Sequence, residues 1–241
     1  MNTDTEDKKV QLVEHRKEQI LAAAKSIFAQ NGFRCTKVDQ IAGALQVGKG
    51  TIYRYFQDKK SLFLTVFEEG IGRLRQTIRA DVEPIIEPQR KVAAAVKTFF
   101  EFFESDRELL EIMMQVRSEF KDDYRRVFLA TYSDYIVKMQ EDLRAGMRSG
   151  IFRQLDVEKT AEAISATLQG VLQSFYIREF GPETAMSRTD EESSADYDSI
   201  KTKNELGRPG QKRELLTDNI GAVTSLLLEG LLKRDGRQVS K

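Results

Sequence analysis

Residues Thr36 to Lys60, TKVDQIAGALQVGKGTIYRYFQDKK, constrain this chain more than any other stretch. They read as two short helices joined by a tight turn. Val38, Ile41, Ala42 and Leu45 recur at helical spacing, giving the first helix, about Lys37 to Leu45, one apolar stripe. Thr36 stands where an N-cap is expected, its hydroxyl able to accept from an unpaired backbone N–H. QVGKG follows as the turn, and TIYRYF as the second helix. There Ile52 and Phe56 share one face, while Lys49, Thr51, Tyr53, Arg54 and Tyr55 surround the rest. A short helix anchored by apolar residues on one side and carrying donors on the others suits a DNA major groove. The pattern predicts a helix-turn-helix.

The rest of the chain fits that expectation. Hydrophobic content of 40% over 241 residues supports a packed core and excludes a disordered protein. Helix-period patterns dominate and strand-type alternation is nearly absent, so the expected class is all-α. The net charge is zero, yet residues 10–60 carry nine Lys/Arg against four acids. A basic end on a slightly acidic body suits a protein presenting one face to a polyanion. One cysteine excludes an intramolecular disulfide framework and fits a reducing compartment. The polar start MNTDTEDKKV is unlike a signal peptide, and no apolar run is long enough to cross a bilayer. A cytoplasmic location is expected.

Periodicity lays out about nine helices. Residues 1–10 read as a frayed tail. Ile20, Ala24, Ile27 and Phe28 mark a first helix from about Val13 to Asn31, stopped by Asn31-Gly32, with Phe33 free to fold back. Asp58 is expected to cap a fourth helix ending near Pro84, and Asp106 and Asp156 to cap later ones. Apolar stripes place helices over about 88–104, from Asp106, over 122–148, from Asp156 to Gly181, and over 212–233. Ile151-Phe152 is expected to plug the end of the 122–148 helix. Residues 182–212, polar and rich in Ser and Asp, read as a mobile or partly helical connection. The domain division is a helix-turn-helix unit over 11–57 and a helical body over 58–241.

Thr36, Ile41-Ala42 and the run Val47-Gly48-Lys49-Gly50-Thr51-Ile52-Tyr53-Arg54-Tyr55-Phe56 together resemble the TetR/AcrR family of bacterial transcriptional regulators. The resemblance covers residues 13–70. It implies a three-helix DNA-binding unit and a C-terminal ligand-binding and dimerisation body. It further implies a homodimer formed through the last two long helices, a palindromic double-stranded DNA operator, and release by a small-molecule effector. Lys49, Gly50, Thr51, Tyr53 and Tyr55 match positions that contact DNA in relatives, as does Lys59, and Thr36 matches a helix start that often faces a phosphate. Two positions depart from the pattern. Gln46 stands where glycine is usual, so the turn either holds Gln46 left-handed at some strain or takes another shape. Gly48 stands where a hydroxyl residue is usual.

Beside the resemblance, the residues carry their own readings. Lys59 and Lys60 lie in the first turn of a helix, where the macrodipole disfavours cations, so a docked phosphate would satisfy both. With Ile52 and Phe56 facing inward, at least one of Tyr53 and Tyr55 points elsewhere. Arg54 can read a guanine edge or lie along the backbone. Phe67, Phe99, Phe103, Met113, Met114, Tyr132, Tyr135, Met139, Phe175 and Tyr176 read one by one as core. As a set they mix adaptable methionines with hydroxyl-bearing tyrosines. The family places a ligand pocket among the fourth to eighth helices, which makes these residues candidates for a mostly apolar or aromatic effector.

His15 is the only histidine, so no His-based metal site or catalytic triad can be assembled, and it reads as solvated. Cys35 reads as a small buried hydrophobe. No phosphate-cradling glycine loop is present, so neither an enzyme nor a cofactor is expected. Competing readings are an all-α enzyme or small-molecule carrier whose N-terminal helices are merely structural, or a regulator that docks a protein through 182–212. The leading expectation is a ligand-responsive transcriptional regulator acting as a repressor, with the fourth helix as its moving element.

Overall fold

The computed structural model describes residues 3–180 and 215–232, with side chains over 10–127, 134–179 and 215–232. Among the described residues the regular structure is helical. The helices are α1 (Thr3–Cys35), α2 (Val38–Ala44), α3 (Lys49–Tyr53), α4 (Lys59–Val82) and α5 (Pro88–Ser105), then α6 (Arg107–Glu119), α7 (Lys121–Arg148) and α8 (Val157–Phe180). A 3-10 turn (Leu216–Asn219) leads into α9 (Ile220–Leu231). The all-α expectation holds. Residues 182–212, read above as a mobile connection, lie outside the described residues.

The chain divides into two compact units. The first comprises residues 1–84 and 105–139, so it takes in α4, α6 and the first part of α7 as well as the three N-terminal helices. Its core is built from Ile20, Ala24 and Phe28 of α1, Ile41 of α2, Ile52 of α3, Phe63 and Phe67 of α4, and Ile112 and Val116 of α6. Ile20, Ala24, Phe28, Ile41, Ile52 and Phe67 lie where the helical period puts inward faces, while Phe63, Ile112 and Val116 join the core beyond the stripes it picks out. Asp58 caps α4 as expected, accepting from the Ser61 N–H at 2.6 Å, while the Asp58 N–H donates back to Ser61 Oγ at 3.1 Å. Asp106 caps α6, accepting from the Leu109 N–H at 3.0 Å. At Gly70 a methyl group would overlap the Leu109 side chain, so glycine is what lets α4 and α6 approach.

The second unit comprises residues 85–104 and 140–241. Val96, Phe100 and Phe103 of α5 are buried in it, as are Leu168, Leu172 and Phe175 of α8 and Val223, Leu227 and Leu231 of α9. Asp156 starts α8, accepting from the Lys159 N–H at 3.1 Å. After Gly150 at φ 73°, Phe152 tucks under the end of α7, its N–H donating to the Gly146 carbonyl at 3.0 Å. The same segment pairs with the end of α9. The Arg153 N–H donates to the Leu231 carbonyl at 3.0 Å, and Arg153 Nε to the Gly230 carbonyl at 2.6 Å.

Three boundaries differ from expectation. Helix α3 runs from Lys49 to Tyr53, so Lys49 and Gly50 belong to it and not to the turn before it, while Tyr55 and Phe56 follow it. Helix α1 starts at Thr3, not after a frayed tail. The stretch before Val13 has no apolar stripe, but Glu6, Lys8, Lys9, Gln11 and Leu12 cost little as helix and Asp4 suits its first turn. The last helix opens as a 3-10 turn because the Leu216 N–H is drawn to Glu104 Oε2 at 2.6 Å and the Leu215 N–H to Asp218 Oδ2 at 3.0 Å.

Candidate nucleic-acid interface

The site begins with a turn. At Gly32 the backbone takes φ 76° and ψ 158°, which ends the regular part of α1 and brings Phe33 back against it. The Phe33 ring lies 5.0 Å from Phe63 and 4.7 Å from Phe120, edge to face with the latter. Three residues on, Thr36 also points inward and is 1% exposed. Its hydroxyl donates to the Gly32 carbonyl at 2.8 Å instead of capping α2. Lys37 occupies the cap position, and the Gln40 side chain serves it, accepting from the Lys37 N–H at 2.8 Å. With Phe33 and Thr36 inside, Arg34 and Cys35 are turned outward. Cys35 is exposed, which corrects its reading as a buried hydrophobe.

Helix α2 ends on Gln46 at φ 54°, the left-handed alternative of the two left open above. The Gln46 N–H donates to the Gly43 carbonyl and the Val47 N–H to the Ala42 carbonyl, each at 3.0 Å. That pair of bonds is the Schellman closure, made with glutamine where glycine is the common occupant. Gly48 then starts α3 with extended backbone, φ −73° and ψ 145°.

Ile52 is buried and fixes which side of α3 faces in, and Phe56, just past the helix end, is buried as well. Lys49, Gly50 and Arg54 are exposed, and Tyr53 is 44% exposed. Thr51 is half-buried. Tyr55 is half-buried as well and packs against the core, so of the two tyrosines Tyr53 points away. One acid stands among these donors: Asp39 Oδ2 accepts from Lys49 Nζ at 2.8 Å. The hydrogen bond from Lys49 holds the Asp39 carboxyl below its ordinary range, and the Lys49 ammonium is pushed up by the same bond.

The two lysines at the start of α4 are engaged within the protein. Lys59 Nζ donates to the carbonyls of Phe33 at 2.8 Å, Thr36 at 2.9 Å and Arg34 at 3.3 Å, and sits 4.4 Å from the Phe33 ring centroid. Its three donors thus satisfy carbonyls left open where α1 ends. Lys60 Nζ pairs with Asp123 of α7 at 2.7 Å and lies 5.1 Å from the Phe120 ring. Thr36 and Lys59 therefore shape the surface from within, while Lys49, Gly50, Tyr53 and Arg54 make its exposed face.

The ten candidate ligand residues fall in both units. Phe67, Met113, Met114, Tyr135 and Met139 belong to the first, together with Tyr132, whose side chain lies outside the described residues. Phe99, Phe103, Phe175 and Tyr176 belong to the second. Phe67, Phe103 and Phe175 are fully buried core residues. A groove of about 660 Å³ in the first unit, between α1 and α4, is lined by Glu18, Leu21, Lys25, Glu69, Arg73 and Asp106 among others, and by none of the ten. Among the described residues no cluster of His, Cys, Asp and Glu is placed to hold a metal, and no helix is long and apolar enough to cross a membrane.

A scaffold helix, a Schellman-closed turn and a short helix with donors on its open face define a helix-turn-helix DNA-binding regulator. The family model of the bacterial regulatory proteins, tetR family, matches residues 20–66. The fatty acid metabolism regulator protein of Bacillus subtilis (strain 168) is 24% identical over 162 residues, 67% of this chain and 84% of that one. The structure of the fatty acid degradation regulator FadR from Bacillus halodurans matches at TM-score 0.68 and 24% identity, covering 90% of this chain and 97% of that one. FadR from Bacillus subtilis in complex with stearoyl-CoA matches at TM-score 0.62 and 21% identity, over 88% and 98% of the two chains. Over residues 20–66 the chain thus matches the DNA-binding segment of the tetR-family regulators, and its fold as a whole is similar to theirs.

The residue that sequence reading passes over is Asp39. It lies ten positions before Lys49, across a turn whose closure only the left-handed Gln46 reveals. The motif points to donors, and an acid among them carries no periodic signal.

Proposed function

We propose that this protein is a repressor that binds a palindromic operator as a homodimer and leaves it when a small-molecule effector binds, held by its apolar or aromatic part. The observation that carries the reading is the exposed face of α3. Lys49, Gly50 and Tyr53 are open to solvent on α3, and Arg54 at its C-cap, while Ile52 and, just past the helix end, Phe56 anchor the segment to the core. Two such faces in a dimer would reach major grooves about 34 Å apart. Thr51 and Tyr55 flank that face and are proposed to reach the backbone. Thr36 and Lys59 are proposed to act by holding the turn that positions it.

The effector reading is favoured by the apolar and aromatic make-up of the helical body and by the stearoyl-CoA held by the Bacillus subtilis FadR structure. A long-chain acyl thioester is the ligand class proposed. Binding must favour the DNA-incompetent arrangement over the competent one, since a ligand shifts an equilibrium only by its differential affinity. The test is selection of bound duplexes from random DNA, repeated with and without a long-chain acyl-CoA. A palindromic consensus lost on adding the acyl-CoA is expected. Duplexes without two-fold symmetry overturn the dimeric reading, and indifference to acyl-CoA overturns the effector class.

A further inference from the structure

Asp39 stands in the first turn of α2 on the same surface as the recognition donors. Its side chain is 62% exposed and that of Lys49 46%, and the two meet at 2.8 Å in open solvent. An exposed pair of this kind adds little to stability. A carboxylate on a surface meant for a polyanion repels that polyanion at every sequence. We propose that Asp39 is a specificity-determining residue, which by holding the Lys49 ammonium keeps it from the phosphate backbone and suppresses binding to non-operator DNA. The inference rests on the reading of α3 as the recognition helix.

The argument turns on what Lys49 can do while paired. An ammonium has three donors. With one of them on Asp39 it can still donate to a neutral base-edge acceptor such as guanine O6 or N7, and the carboxylate stays neutralised. A phosphate in the same place would set two anions across one cation. The pair therefore tolerates base contacts and penalises backbone contacts. Phosphate contacts supply affinity without sequence information, whereas base contacts specify. A built-in repulsive element of this kind raises specificity by lowering the affinity of the wrong complexes.

The test measures binding of the full chain to a selected operator and to a random-sequence duplex over a salt series. The wild type is compared with Asp39→Asn, Asp39→Ala, Lys49→Ala and the double variant Asp39→Ala/Lys49→Ala. Asp39→Asn keeps the side-chain shape, and thermal unfolding of each variant reports on the fold. Both Asp39 variants are expected to bind the random duplex about three- to tenfold tighter at roughly 0.1 M salt, with a log–log salt slope steeper by about one. Operator affinity should change less, so the specificity ratio falls, and the gain should vanish in the Lys49→Ala background. Unchanged random-duplex affinity and slope overturn the inference, and so does a gain of equal size without Lys49. A loss confined to one operator base pair also overturns it, because Asp39 would then be reading a base itself. A wild type that binds every duplex alike defeats the reading of α3, an outcome distinct from all of these.

Discussion

Two turns bracket α2, and they are held in opposite ways. The first, at Gly32, is gripped from outside. Phe33 is wedged between Phe63 and Phe120, and its N–H donates to Gln115 Oε1 at 3.0 Å. Gln115 Nε2 in turn donates to the Phe28 carbonyl at 3.2 Å, and Lys59 binds three carbonyls of the segment. The second, at Gln46, is closed by two backbone bonds and seated by Leu45 and Val47, which pack half-buried on the core. The first turn fixes where the helix-turn-helix sits in its unit. The second sets only the angle between α2 and α3, and a few backbone bonds are enough for that. A turn that many distant residues support is sensitive to all of them, whereas a locally closed turn depends on its own backbone.

Removing the wedge should have the largest effect. Phe33→Ala is expected to cost about 2–4 kcal/mol, below the figure for a fully buried phenylalanine because this ring is half-buried. Urea unfolding would show the loss. A cost under half a kcal/mol would mean that Lys59 and Gln115 hold the turn without the ring. Gly32→Ala comes next. At φ 76° and ψ 158° the residue lies in a region open essentially to glycine alone, so alanine is strained although no atom crowds a methyl there. The expected cost is about 1–3 kcal/mol.

Asp106 supports the first turn at one remove, because it ties α6, which carries Gln115, to α1. Its carboxylate, 16% exposed, receives Lys25 Nζ at 2.8 Å and Arg73 at 3.2 Å besides capping α6. Burial works against the charged form, but the hydrogen bond and charge of Lys25 outweigh it and hold the group below its ordinary range. Stability from this group is therefore present above the unfolded-state value, about 3.9, and is lost as the pH falls through the lower folded-state value. Asp106→Asn keeps the cap and removes the charge. It is expected to cost about 1–2 kcal/mol at pH 7. The gap to wild type should close in acid as the native carboxylate takes up its proton. A gap that persists after that protonation would show that packing, not charge, is what the variant loses.

What the sequence shows divides along the same line. Asp58, Asp106 and Asp156 stand at cap positions in the sequence pattern and each accepts from the N–H three residues on, because a cap and its helix are neighbours in the chain. The inward pair Ile52 and Phe56 was legible from period alone. Thr36 stands at a cap position in the pattern yet does not cap, because the direction of its hydroxyl depends on the Gly32 backbone, four residues back. Lys59 and Lys60 looked like free cations at a helix start. Their partners are the carbonyls after Gly32 and, for Lys60, Asp123, groups that local pattern does not connect to them. For the ligand set, periodicity shows which faces are buried, but a stripe of Phe and Met reads the same whether it closes on itself or lines a space.

Gln46→Gly is the smallest of the expected effects and the one that tests the second turn most directly. A non-glycine residue in the left-handed region costs about 1 kcal/mol against right-handed backbone, and glycine removes that cost at a position where φ is 54°. Glycine also gives the unfolded chain more freedom, which takes back part of the gain. The net expectation is a stabilisation of about 0.5 kcal/mol, visible as a small rise in the unfolding midpoint. The Schellman bonds to Ala42 and Gly43 are made by backbone alone and should survive. The angle between α2 and α3 would then be unchanged, and so would the operator selected from random DNA. If Gln46→Gly instead loosens sequence preference while the fold gains stability, the glutamine side chain takes part in setting that angle. The second turn would then no longer be the backbone-closed partner of the first.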